Sequence, residues 1–278
     1  MRFVKILVST ALTAAIFTFN GCKKDKETSA DDFQTTAEDI GQAESVSSDI
    51  DNVTSQVSKM SSFSNDNSQN PSLDQFNFNS CATITHDSIN HVITYDFGTG
   101  CTGHDGKTRS GIIIVNYTGN GYFNAGSSWT VTFNNFYVNN RHVEGTRTVT
   151  NNGFNASGNM TWSINAQNML ITRPDGTWRS WNSQRTREMI AGYGDSTWTN
   201  DKYVINGTST GTNSQGETVT CVHTDIHRDL ACHFITSGTI VITPSGRPAR
   251  TIDFGNGNCD DLATVTKNGM TKTIHLKF

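Results

Sequence analysis

Three stretches of the chain carry residue types that could do chemistry. The first is CVHTDIHRDLACH (221–233), in which Cys221, His223, Asp225 and His227 alternate. On an unbroken strand they share one face, and Cys-plus-His sets bind zinc when four donors converge at about 2.0–2.3 Å. Three donors at i, i+2 and i+4 are nevertheless spread over ~13 Å. A zinc site would therefore need His233 or a donor from another strand, and no metal is assigned here. The second is DFGNGNCDD (253–261). Its Asp and Asn oxygens could wrap calcium, but the full twelve-residue calcium loop with its closing Glu is absent. Tight-turn chemistry accounts for both glycines. The third is aromatic. Trp162, Trp178, Trp181, Tyr193 and Trp198 are interleaved with Arg173, Arg179, Arg185 and Arg187. Exposed Trp beside Arg and Asn could stack on sugar rings, so Trp162, Trp178, Trp181 and Trp198 are candidate ligand-binding residues. Trp also fills large β-cores, and the pattern fits both.

Nucleophilic and nucleotide chemistry find no support. The chain has no G-x-S-x-G elbow, no H-E-x-x-H and no P-loop. No catalytic residue or cofactor is assigned. The formal charge of −4 argues against nucleic acid, which needs a basic face.

The elements that must position these residues are mostly strands. From Phe76 to Phe278 the hydrophobic period is two, as in Trp129–Phe133, Met160–Ala166, Val219–Thr224 and Thr271–Phe278. Turn chemistry separates the strands at Asn139-Asn140, Pro174-Asp175-Gly176, Pro244-Ser245-Gly246 and Asn268-Gly269. No helical pattern interrupts them, which excludes parallel βαβ units. The reading is mainly β: a long antiparallel meander of ten or more strands over 76–278. A sheet that large must curl, close or split. The expectation is a curved half-barrel or roll, with a two-sheet β-sandwich as the alternative. Residues 61–75 read as a loop.

Phe33, Ala37, Ile40, Ala43, Val46, Ile50, Val53, Val57 and Met60 recur at steps of three or four, which predicts an amphipathic helix over 32–60. Its stripe is narrow and its members small, so it must lie on something. The expected partner is the apolar inner face of the β-domain; an intermolecular coiled coil is the alternative.

Five cysteines follow Cys22, and they fall into a repeated pattern. Cys81 precedes DFGTGC ending at Cys101, and Cys232 precedes DFGNGNC ending at Cys259. A duplicated unit bridged Cys81–Cys101 and Cys232–Cys259 follows, although a cross-unit pairing is also open. Each bridge could contribute about 3 kcal/mol. Cys221 would be left over.

Upstream, Arg2 and Lys5 precede an apolar run from Ile6 to Phe19 that ends at Gly21-Cys22 and turns at once into KKDKE. The order of basic head, apolar middle and small residue is that of a signal peptide over 1–21. Its end resembles a bacterial lipobox, and the polar tether 22–31 resembles those of Bacteroidetes-type lipoproteins. That resemblance implies that Cys22 becomes the mature N-terminus, carries lipid and holds the protein on the outer membrane, on its periplasmic or outer side. Loss of Arg2 and Lys5, with no acidic residue, would move the formal charge from −4 to −6. The twin Asp-Phe-Gly-x-Gly-(x)-Cys units and the closing NGMTKTIHL resemble uncharacterised surface lipoproteins of the same type. Asp87-Ser88-Ile89 and Asp195-Ser196-Thr197 resemble their O-glycosylation sites.

Two function classes remain at this stage. One is a lipid-anchored, non-catalytic structural or ligand-binding protein whose partners are the membrane and a glycan or small apolar ligand. The other is a glycan-binding protein or glycan hydrolase with an aromatic-lined groove.

Overall fold

The computed structural model describes residues 30–63, 81–195 and 197–276. Residues 1–29 and 64–80 lie outside the described residues, and with them the expected signal peptide, Cys22, the expected tether up to residue 29 and the expected loop from residue 64. Among the described residues one α-helix, α1 (Ala30–Phe63), precedes fourteen strands. They are β1 (Thr83–Asp87), β2 (Val92–Asp96), β3 (Cys101–Thr102), β4 (Thr108–Thr118), β5 (Ser128–Val138), β6 (Arg141–Phe154) and β7 (Met160–Thr172), followed by β8 (Trp178–Ala191), β9 (Lys202–Asn213), β10 (Thr218–Asp229), β11 (Ile235–Pro244), β12 (Arg250–Asn256), β13 (Leu262–Lys267) and β14 (Met270–His275). The helix thus runs two residues earlier and three later than the expected 32–60.

The strands form one antiparallel sheet in sequence order, β3 excepted, which pairs beside β2 on β4. The sheet does not close into a barrel. Its hairpins follow the turn chemistry. Asn139 and Asn140 both take positive φ between β5 and β6, as do Asn268 and Gly269 between β13 and β14, the geometry a two-residue hairpin demands.

Curvature follows from what α1 touches. Ala43, Val46, Ile50 and Val53 pack into a cluster drawn from β2 to β9, while Ala37 and Ile40 pack with β10 to β14. Ten strands from β4 to β13 would span ~43 Å if flat, yet Ile40 and Val53 are only about 20 Å apart along the helix. One helix can reach both groups only if the sheet curls around it. The helix therefore packs on its own chain and fills the concave face.

The curl has a local cause that recurs three times. Gly111 faces the carbonyl of Asn135, Gly145 faces Asn168 and Met169, and Gly238 faces the carbonyl of Asp225. Each glycine has positive φ, and so do Asn135, Asn168 and Asp225. Each pair marks a register shift between neighbouring strands: β4/β5, β6/β7 and β10/β11. Such bulges bend a strand and raise its twist. At Gly111 a Cβ would sit 1.9 Å from the Asn135 carbonyl oxygen.

Both expected disulfides form, Cys81–Cys101 and Cys232–Cys259, and Cys221 is a buried free thiol. The two units match in detail. Phe97 and Phe254 are both buried, and Asp96 and Asp253 each accept a 2.8 Å bond from the amide two residues on, Gly98 and Gly255. These aspartates build turns.

Substitution should separate a bulge glycine from a turn glycine. Gly111→Ala should cost at least about 2 kcal/mol in urea unfolding, because it adds a backbone clash to a left-handed φ. Gly106→Ala has the same sign of φ and open space around it, and should cost only about 1 kcal/mol.

Candidate functional site

The inner face was expected to be apolar, but buried arginines interrupt it. Arg109, Arg147, Arg179, Arg187, Arg228 and Arg250 are buried, and the Arg185 side chain is 8% exposed. On β8 the inward parity is set by Trp181 and Met189, and Arg179, Arg185 and Arg187 share it. The flank of the α1 stripe meets them with acids. Glu44 takes two bonds of 2.6 Å from Arg185. Asp51 accepts from Arg147 at 2.6 Å and lies 3.5 Å from Arg187. Asp49 is held by Arg109 and by Lys107 (3.0 Å), and Asp105 also grips Arg109.

Electrostatics along this seam are strongly perturbed. Burial alone would raise the Glu44 carboxyl; Arg185, His223 and Arg147 outweigh it and hold the group at about 2. Burial likewise opposes ionisation of Asp49, but Lys107 and Arg109 keep its carboxyl below the usual range. His223, on β10, has a fully buried side chain 3.9 Å from Glu44. Burial, helped by Arg185 and opposed by Glu44, pushes its ring down to about 4. Burial also lifts the neighbouring Cys221 thiol to about 11, which makes it inert at neutral pH.

The metal-like spacing on β10 does not survive folding. A bulge between His223 and Ile226, with Asp225 at φ 48°, breaks the alternation. Cys221 and His223 face inward, Asp225 faces out, and Ile226 and Arg228 take the next inward positions. Among the described residues no group of three His, Cys, Asp or Glu side chains is placed to hold a metal ion.

The tryptophans divide. Trp162 and Trp181 are buried core residues rather than an exposed platform. Trp162 carries the Arg187 guanidinium 5.0 Å from its ring centre, as does Tyr203. Trp178 is half-buried at the start of β8, and Trp198 lies in a short 3-10 turn, Trp198–Asn200.

A different aromatic set converges at the end of the strands where Trp162 lies, with its floor residue Tyr122 5.2 Å from the Trp162 ring. Its walls are His86 on β1, His91 in the β1–β2 turn, Tyr117 at the end of β4, and Tyr122 and Trp129 across the β4–β5 loop. They enclose a cavity of about 270 Å³ with Ile93, Ser127 and the Gly119-Asn120-Gly121 turn, near the lower end of ligand-pocket sizes. His86 Nε2 lies 2.7 Å from the Tyr117 hydroxyl, and the His91 ring stacks on Tyr117 at 5.0 Å. Tyr122 and Trp129 form the buried floor, 4.9 Å apart. The floor is rigid: the buried Asn151 amide donates to the Tyr122 carbonyl at 2.8 Å, and Arg187 donates to its hydroxyl at 2.8 Å. Behind the lining, Phe123 stands edge-on to Tyr122, and Tyr193 stands edge-on to both Phe123 and Phe154. The sequence reading missed these residues because they come from five separate segments. The one available signal was the density of rings around Tyr117–Trp129.

The seam generates a pH dependence. Between pH 6.5 and about 4 the unfolded chain protonates His223 while the folded ring refuses the proton, so stability falls as pH falls. Between 4.5 and about 2 the unfolded chain protonates Glu44 while the folded carboxyl does not, and stability falls again. Each window should remove on the order of 3 kcal/mol. Unfolding measured from pH 7.5 to 3 should show both. His223→Gln should flatten the upper window. Glu44→Gln should flatten the lower one and, by leaving Arg185 uncompensated, cost about 3–5 kcal/mol at pH 7. No protein-family model matches the chain, and neither does any curated protein or solved structure, so the chemistry of these sites is read from their geometry alone.

Proposed function

We propose that this is an exported, lipid-anchored protein of the outer membrane that binds a glycan ring in the aromatic pocket and does no chemistry of its own. The observation that carries the reading is the pocket's lining. Its walls are imidazole, phenol and indole rings, and its polar handles are hydroxyls, the Asn120 amide and turn backbone. Flat rings stack on the apolar faces of a sugar, and neutral donors and acceptors meet its hydroxyls. Glycoside hydrolysis uses two carboxylates roughly 5–9.5 Å apart, and the lining supplies no Asp or Glu.

Export has its own support. The two disulfides fit an oxidising compartment, extracellular or periplasmic. Among the described residues no helix is long and apolar enough to cross a membrane. Anchorage through Cys22 fits both observations, since two or three acyl chains hold where one does not.

Each half has its test. Tyr117 is half-buried and His91 exposed, so both can be changed without opening the core. Titration of the wild-type protein against a panel of mono- and oligosaccharides, followed by tryptophan fluorescence, should reveal a saturable ligand. Tyr117→Ala should weaken it about 3- to 10-fold. A panel without any saturable response would reject glycan binding. Expression of the full chain with an alkyne-labelled fatty acid should label the wild type and not Cys22→Ala; an unlabelled wild type rejects the anchor.

A further inference from the structure

A second cavity lies where α1 crosses β8, β9 and β10. Its volume is about 40 Å³, and a buried water occupies about 10–15 Å³ on the same measure. The space thus suits about three non-hydrogen atoms, or a small planar group with one end in the mouth. Glu44, Ser47, Ser48, Asp51, Asn52 and Ser55 line it from the helix, and Arg185, Arg187 and Arg228 are its charged residues from the sheet.

Charges around this cavity do not balance in pairs. Arg185 is held by Glu44 through two bonds. Arg147 and Arg187 share Asp51, and Arg187 also uses the Tyr122 hydroxyl and two aromatic faces. Arg228 is different. It is 93% buried by its 7% exposure, and its hydrogen bond goes to the His233 carbonyl at a long 3.4 Å. The adjacent Asp229 is engaged by Lys202 at 2.8 Å. Burial pushes the Arg228 guanidinium down to about 10 despite the pull of Asp51, Glu44 and Asp229. A buried cation without its own counter-charge is costly, and a guanidinium fork matches a carboxylate in shape and charge.

We propose that this cavity is a binding site for a small carboxylate, gripped by Arg228 and by the hydroxyl and amide groups of Ser47, Ser48 and Asn52. The site is separate from the aromatic pocket. Because α1 forms one wall, a bound carboxylate also fastens the helix to the sheet, and occupancy stabilises the folded chain by mass action.

The test uses the full mature chain at pH 7. Acetate and formate, compared with chloride at matched ionic strength, should raise the thermal midpoint of the wild type in a saturable way. Arg228→Met should fold with an unchanged or higher midpoint in chloride, since among the described residues this buried cation has no ion pair of its own. The variant should bind acetate at least tenfold more weakly. Line broadening of ¹³C-acetate by the wild type gives a readout that does not depend on the variant folding, and it should titrate as one site per chain. An equal acetate response in wild type and Arg228→Met, or no saturable broadening with the wild type, overturns the proposal.

Discussion

Acidic side chains of one helix neutralise arginines that the sheet has turned inward. This arrangement governs the rest of the molecule. Glu44, Asp49 and Asp51 reach β8, β4 and β6 respectively, so a single 34-residue element ties strands from separate parts of the sheet to one axis. Apolar contacts at Ala37, Ile40, Val46, Ile50 and Val53 supply the dry part of the interface. The ion pairs supply register. A helix sliding by one turn would keep its apolar stripe against the core but would separate every carboxylate from its guanidinium. The cost of leaving those charges unpaired is what fixes one docking.

Such a seam needs a concave surface, and the sheet acquires one at its bulges. Gly111, Gly145 and Gly238 sit opposite left-handed Asn or Asp residues at three places, and each pair bends its strands toward the helix. The same bulge at Asp225 that re-aims β10 also delivers Arg228 to the interior in place of His227. Curvature and charge placement are therefore one event on that strand. The aromatic pocket depends on the seam as well, because Arg187 bonds the floor residue Tyr122 while it faces Asp51.

Much of this architecture was legible in the sequence. The three-and-four spacing from Ala37 to Val53 named the buried helix positions, Asn139-Asn140 and Asn268-Gly269 marked hairpins, and the twin Asp-Phe-Gly units paired the cysteines. The inward arginines were not foreseen, because period-two reading assigns charged residues to the solvent side. The parity of Arg185 and Arg187 with Trp181 and Met189 contained the answer, as did Glu44 and Asp51 on the edge of the helical stripe. Alternation also failed at Asp225, where an extra residue flips the pattern and nothing in TDIHRD announces it. The aromatic pocket joins positions 86 to 129, and its assembly depends on pairings that no local window contains.

The order of assembly follows from where the helix stands in the chain. Neighbouring strands zip through short connections, whereas Arg109 meets Asp49 across 60 residues and Arg185 meets Glu44 across 141. Distant contacts of this kind close slowly, since loop entropy must be overcome before they form. A chain that emerges N-terminus first exposes α1 long before β8 or β10 exists to receive it. The helix must wait as an acidic, serine-rich segment of low apolar content, a composition that keeps the waiting chain soluble until the groove is built.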